Sequence, residues 1–262
     1  MPRLFLISLL FWLAAMPAYS CTLRMGADSY FPPHLNPGEQ GWQGLSIDLA
    51  RSLATEVGCE LTILQSPWRR SLQLLAQGQL DILSHLSFSE ARHADFRFIG
   101  PHHIETVILI GDAAKLPKLE SLTELAEWPK ERIIAILNGA YYGEAFQQLI
   151  EQDGFGPTLV EIRSHEDKLA LLESGRVDAV LEDQTTLYHW QQSGQVQHNQ
   201  YQQLLVVYQN PVYFGISRQS IAEAQAIQLD EAWQRLYQQG RLQQIRARYL
   251  PTLPLPEPAA IH

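Results

Sequence analysis

The run from Ser84 to Arg92, SHLSFSEAR, packs three serines, a histidine, a glutamate and an arginine together. Arg92 is the strongest chemical group there. A guanidinium can fork onto a carboxylate through two charge-assisted hydrogen bonds. Ser84 and Ser87 could add hydroxyl or backbone donors, and a helix opening at Ser87 would offer N–H groups to an anion. Read alone, Arg92 is better explained as a solvated helix arginine, with Ser87 then only a cap. A second polar run, Glu182 to Thr186 (EDQTT), offers the opposite charge. Asp183 there suits a cation, or caps the helix that follows, and both roles are compatible. Glu182 could take the first role in its place. Trp68, Phe31, Tyr30 and Trp42 could wall a pocket with flat rings, or simply pack. Arg69 and Arg70 adjoin Trp68 and could meet a second anionic group, or lie on a helix surface.

These groups need a scaffold, and hydrophobic spacing supplies one. Strand-like LRMGA leads to the helical stretch SIDLARSLATEVG, with Ile47, Ala50, Leu53 and Val57 on one face and Gly58 as its stop. CELTIL, the helix PWRRSLQLLAQG and the strand LDILSHL follow. Ser87 and Glu90 have the spacing of a capping box opening a short helix through Arg92. After Pro101 the pattern restarts with ETVILI, and Ser121 and Glu124 repeat the box. RIIAIL turns at Asn138-Gly139 into the helix YYGEAFQQLI. TLVEI then precedes a helix capped by Ser164 and Asp167. VDAVL and the helix TTLYHW follow. LLVVY and VYFGIS bracket Asn210-Pro211, and two helices close the chain before a Pro-rich tail.

Strands alternating with helices predict parallel α/β units. One phrase is written twice: LLAQGQLDIL from Leu74 and LLESGRVDAV from Leu171. Each is a helix ending at Gly that feeds a buried strand opened by Asp. Two copies predict two similar lobes. Ligands of open α/β sheets sit beyond the carboxyl ends of the strands. SHLSFSEAR and EDQTT occupy those ends, so they should face each other across a cleft. The plainer alternative is a common helix-to-strand connection with no cleft implied.

The bulk numbers agree with a globular protein. The chain has 262 residues, 46% hydrophobic and 18% charged, with a net charge of −9. No basic block points to nucleic acid. The start, MPRLFLISLLFWLAAMPAYSC, has the build of a secretory leader cleaved after Ser20, with a retained anchor as the alternative. The two cysteines, Cys21 and Cys59, each precede a strand-like run. In an exported protein an even count suggests a disulfide. Strands about 4.8 Å apart suit disulfide Cα spacings of roughly 4.4–6.8 Å. Two buried thiols, or a lipid on Cys21, are the alternatives. No phosphate loop, HExxH, paired-Cys motif or nucleophile elbow is present, so no cofactor or metal is expected. His102-His103 reads as a surface pair near a hinge.

The order of the pieces resembles the bacterial extracellular solute-binding proteins of family 3. The stretches LRMGADSYFPP, GWQGLSIDLARSLATEVG, LSFSEAR, LESGRVDAVLED and LYQQGRLQQIRARYL carry the resemblance. It implies an α/β, two-lobed type II periplasmic binding fold with a ligand cleft between the lobes. Residues 1–20 would be the leader and 251–262 a tail. Residues 21–104 and 209–250 would form the first lobe and 105–208 the second, hinged near 102–106 and 207–211. Arg92 would grip a ligand α-carboxylate and Asp183 its α-ammonium. Phe31 and Trp68 would stack on the ligand, and Asp28 would be an acid on the ligand side. Tyr141 stands where the family has small hydroxyls, which narrows the pocket, as would Tyr142. His85 also replaces a small residue, and together these departures leave open a ligand other than a standard amino acid. The implied protein is a periplasmic monomer that takes an amino acid or similar zwitterion to the membrane permease of an ABC importer. A dehydratase acting on prephenate or arogenate, with Glu182 or Asp183 as acid, and an orphan sensory module are the alternatives.

Overall fold

The computed structural model describes residues 21–28, 36–38, 41–152, 154–197 and 199–250. The first half runs β1 (Cys21–Ala27), β2 (Asn36–Gly38), β3 (Gly41–Gln43), α1 (Leu45–Glu56), β4 (Cys59–Gln65), α2 (Trp68–Ala76), β5 (Ile82–Ser87) and α3 (Glu90–Asp95). A long strand, β6 (Phe96–Asp112), leads to α4 (Leu122–Ala126), β7 (Ile133–Leu137), α5 (Glu144–Ile150), β8 (Thr158–Ile162), α6 (Asp167–Glu173), β9 (Ala179–Asp183) and α7 (Gln184–Gln192). A second long strand, β10 (Tyr201–Ser217), returns to α8 (Glu223–Gln238) and α9 (Arg241–Ala247).

Hydrogen bonding orders the strands β4-β1-β5-β10-β6-β9-β7-β8. The order is symmetrical about its centre. On one side β4, β1 and β5 are parallel; on the other β8, β7 and β9 are parallel. β6 and β10 are antiparallel to each other and to their outer neighbours. Each half thus repeats one α/β unit, as the doubled phrase predicts, and the fold is two-lobed.

The repeated aspartates show what the phrase does. Asp81 Oδ2 accepts from the Arg24 backbone N–H at 2.8 Å and from its side-chain Nε at 2.9 Å. Asp178 Oδ2 accepts from Ile133 N at 2.8 Å, and its Oδ1 takes Arg132 Nη1 at 2.6 Å. Both precede the first residue of a parallel strand, at the end away from β5 Ser87 and β9 Asp183, and both tie down the neighbouring strand. Burial raises the Asp81 carboxyl, but hydrogen bonds from Arg24 outweigh it and leave it below its ordinary value.

Helices cover both faces of the sheet, which is why β5 and β9 are buried almost throughout. Met25, Leu49 and Trp233 centre one cluster, and Leu75, Leu83 and Leu86 another on the opposite face. In the second half, Val107 and Leu109 join one cluster while Ile108 and Ile110 join another. Alternation along β6 sends successive side chains to opposite faces. Cys21 and Cys59 are register partners of the parallel β1–β4 pair, and they form a disulfide with their Cα atoms 4.4 Å apart.

Four sequence expectations are corrected. LLVVY and VYFGIS are one strand that runs through Asn210-Pro211. β10 pairs with β5 only over Val212–Ile216, so at Pro211 its sole partner is β6, and a residue lacking an N–H is tolerated there. The cap of α3 is Ser89, whose side chain accepts from Arg92 N, and not Ser87, the last residue of β5. Ser164 accepts from Glu166 N, and α6 itself has no side-chain cap. His102 and His103 are buried at 0% and 1% exposure, so they are not a surface pair. The proposed leader and Pro-rich tail lie outside the described residues. Among the described residues no helix is long and apolar enough to cross a membrane.

Candidate functional site

The carboxyl ends of β5 and β9 meet at one cavity with about 70 Å³ open to water centres, room for roughly five waters. Asp28, Trp68, Ser84, Ser87, Arg92, Tyr141 and Asp183 all line it. Phe31 and Tyr30 lie outside the described residues. Trp42 does not join this wall; it packs against the core around α1. Arg69 and Arg70 are exposed, and Arg69 Nη1 reaches Asn138 Oδ1 at 3.0 Å.

Arg92 sits on α3, just past the end of β5. Its Nη1 donates to Ser87 O at 3.1 Å and its Nη2 to Gly139 O at 3.0 Å. Trp68 Nε1 donates to the same Gly139 oxygen at 3.1 Å. The turn after β7 is therefore drawn onto α2 and α3, and the cleft is closed. Tyr141 lies against the guanidinium, 5.7 Å from ring centre to Cζ. Burial draws Arg92 down to about 10, while Glu105, Tyr141 and Tyr208 favour its charge. A glycine is required at position 143: its φ is +89°, and a Cβ there would stand 2.4 Å from the Tyr208 ring. Tyr142 is buried, and its hydroxyl accepts from Leu137 N at 2.7 Å. It fixes the turn more than it narrows the cleft, although it also reaches the lining.

Asp183 ends β9 and caps α7. Its Oδ1 accepts from Thr185 N at 2.8 Å and also pairs with the Thr185 hydroxyl. Its Oδ2 accepts from Thr106 N at 3.2 Å. These donors hold the carboxylate rigid at the cavity wall. Glu182 faces the same space but is engaged more deeply. Lys168 Nζ is 2.7 Å and His165 Nδ1 2.8 Å from its Oε2, and its Oε1 accepts from Asp183 N at 2.8 Å. Lys168 also donates to Leu181 O at 2.6 Å. Burial raises Glu182, but His165 and Lys168 outweigh it and hold the carboxyl far below its ordinary value.

Three ionisable residues of the lining are not singled out by any sequence pattern: Glu105, His165 and Lys168. Lys168 stands in a helical stretch that gives no sign of burial. Glu105 looks like the polar first residue of a strand, yet burial, followed by the Asp183 and Glu182 carboxylates, pushes it up to about 8.

Behind Ser84 lies a cluster of histidine rings. His85 has φ +59°, an uncommon conformation for a side chain other than Gly, and its Nδ1 is 3.0 Å from Ser46 Oγ. His85 N donates to His102 Nε2 at 3.3 Å, so that nitrogen carries no proton. In a neutral ring the proton is then on His102 Nδ1, which donates to His103 Nδ1 at 2.8 Å. This tautomer assignment follows from the hydrogen-bond network. Among the described residues no group of three or more His, Cys, Asp or Glu could hold a metal ion, these histidines included.

Comparison with known proteins agrees with this architecture. The histidine-binding periplasmic protein of Escherichia coli K12 is 25% identical over 178 residues, covering 65% of this chain and 64% of that protein. The L-cystine-binding protein TcyJ of the same organism is 23% identical over 167 residues, 62% of this chain and 59% of the relative. The chain thus aligns with about three fifths of the length of each. A solved structure described as a putative L-cystine ABC transporter from Listeria monocytogenes superposes with a TM-score of 0.75 at 17% identity, covering 88% of this chain and 97% of that one. That likeness shows the two-lobed fold. The family profile extends over residues 23–252, nearly the whole described chain. This chain belongs to the bacterial extracellular solute-binding proteins, family 3.

Proposed function

We propose that this protein captures an amino acid or a similar small zwitterion by closing its two lobes on it, and delivers it to the membrane permease of an ABC importer. The observation that carries the reading is that Arg92 and Asp183, from opposite halves, line one cavity. A guanidinium on one wall and a carboxylate on the other match the two charges of an α-amino acid. Ser84 and Ser87 supply further polar atoms, Trp68 and Tyr141 flat apolar surface, and Asp28 a second acid. The chain would act as a monomer in the periplasm after loss of residues 1–20.

The lobes would be residues 21–104 with 209–250, and 105–208. Between the end of the β5–β10 ladder at Val212 and the start of the β6–β9 ladder at Val107, only β6 and β10 run side by side. Two strands with no third neighbour resist bending least, which suits a hinge there.

A thermal-shift screen against amino acids, short peptides, polyamines and carboxylates tests the reading. A ligand at a hundred times its Kd stabilises by about 2.7 kcal/mol. An α-amino acid should raise the melting point; a response confined to other solutes would overturn the assignment. The dehydratase alternative needs a carboxyl that can give up a proton. Glu182, held ionised by Lys168 and His165, is unsuited, whereas Glu105 remains protonated near neutral pH. Turnover of prephenate or arogenate separates the two readings, and none is expected. A sensory role predicts no permease and ATPase genes beside this one.

A further inference from the structure

Among the described residues four carboxyl groups face the cavity: Asp28, Glu105, Glu182 and Asp183. Glu182 is committed to Lys168 and His165, and Asp183 to backbone donors on β6 and α7. Glu105 differs. No hydrogen bond or ion pair to its carboxyl exists among the described residues, although Arg92 and Lys168 are its electrostatic neighbours. Arg92 spends donors on Ser87 and Gly139, and Lys168 on Leu181 and Glu182. A carboxyl drawn out of water onto a cavity wall without a partner is costly, and folded proteins keep such groups where something else completes them.

We propose that Glu105 selects the ligand's side chain, and that the preferred ligand is an amino acid with a second basic group: an amine, a guanidinium or an imidazolium. This rests on the amino-acid reading above. With the α-carboxylate at Arg92 and the α-ammonium at Asp183, Glu105 and Asp28 are the acids left for the side chain, and Glu105 is the one on a strand that crosses between the halves. Its place on the crossing strand, opposite Asn210 of β10, puts it between the halves, where it can close on a ligand held by both. The charges around it are Arg92 from α3, Lys168 from α6, and Glu182 and Asp183 from β9, with the phenols of Tyr142 and Tyr208 beside them. An acidic side chain would meet three carboxyl groups there. A basic one lets Glu105 ionise, and the proton that it carries in the empty protein is released to solvent.

Calorimetry on the wild-type mature protein tests this. Arginine, lysine and histidine are titrated beside citrulline, glutamine and glutamate at pH 7.5, in phosphate and in Tris. The expected result is a basic amino acid binding at least about tenfold tighter than its neutral analogue, with part of a proton released per ligand. Glu105→Gln should remove that margin and the proton release. Citrulline binding as tightly as arginine, or binding of basic ligands without proton release, overturns the inference. In that outcome the amino-acid reading stands. Absence of binding by every α-amino acid overturns both. The wild-type comparison needs no variant, so a folding defect in Glu105→Gln would leave the inference fully testable.

Discussion

Arg92 Nη2 and Gly139 O lie 3.0 Å apart, although they are 47 residues apart in the chain. The hydrogen bond joins α3, beyond the end of β5, to the turn after β7. The residue assigned to the ligand's carboxylate therefore also fastens one half of the protein to the other. Under the proposed reading, binding and closure would share a side chain, and a ligand carboxylate at Arg92 would strengthen a latch already formed.

Replacing Arg92 should expose both roles. Arg92→Ala is expected to weaken ligand binding by about 2–5 kcal/mol, because the fork and its charge go together. Arg92→Lys keeps a charge but loses planar, bidentate geometry, and should fall between the two. Calorimetry gives the affinities, and circular dichroism should show an unchanged fold. Unaltered affinity in Arg92→Ala would remove the carboxylate clamp from this site.

Asp183 can be dissected by size and charge. Asp183→Asn keeps a capping oxygen for Thr185 N but removes the charge and the acceptor of Thr106 N, so affinity should drop while part of the cap's stability is kept. Asp183→Ala should lose about 1 kcal/mol of stability as well. Equal binding by wild type and Asp183→Asn would mean that Asp183 is only a cap.

The buried Lys168–Glu182 pair makes a pH-dependent contribution. Because Glu182 titrates far below its ordinary value in the folded protein, its stabilisation is complete above the ordinary carboxylate range. It is lost as pH falls toward the folded-state value. At pH 7, Glu182→Gln should cost about 3–5 kcal/mol, since Lys168 would keep a buried, unneutralised charge. The difference from wild type should shrink below about pH 4. Denaturant melts across that range read it directly.

Glu105 has the opposite sign. Its folded-state value is raised, so the stability associated with it is complete below the ordinary carboxylate range. That stability declines as pH rises toward about 8. Without ligand, Glu105→Gln should therefore gain in melting point relative to wild type as pH is raised from 5 to about 8, a trend that a pH series of thermal melts would detect.

The disulfide should contribute about 4 kcal/mol in the chain-entropy treatment, for a sequence separation of 38 residues. The double variant Cys21→Ser/Cys59→Ser should unfold at correspondingly lower denaturant with ligand affinity preserved, because both residues are remote from the cavity lining.

Much of this molecule is legible in its sequence because the signals are local and periodic. The helix from Leu45 to Glu56 buries Ile47, Ala50 and Leu53, the face that spacing picks out. The doubled phrase predicts the doubled sheet. Arg92, Asp183 and Trp68 are reachable because resemblance adds what spacing lacks. Long-range facts are not legible. That Pro211 runs within a strand depends on β5 stopping one residue short of it. The burial of His102, His103 and Lys168 depends on elements far away in the chain, and polar types in ordinary strand and helix patterns do not announce it. Glu105 looks like a solvated strand end because nothing nearby in the sequence encloses it.

The position of β10 has a consequence for how the chain is made. Among the described residues it is the last strand synthesised, yet it lies at the centre of the sheet, between β5 and β6. Until it arrives, β5 has an open inner edge that can pair with a stray strand. At about 5–20 residues per second, that edge waits on the order of ten seconds after β5 itself is complete. For that interval the nascent chain is unfinished at its middle. Folding becomes decisive only when the final fifth of the sequence appears.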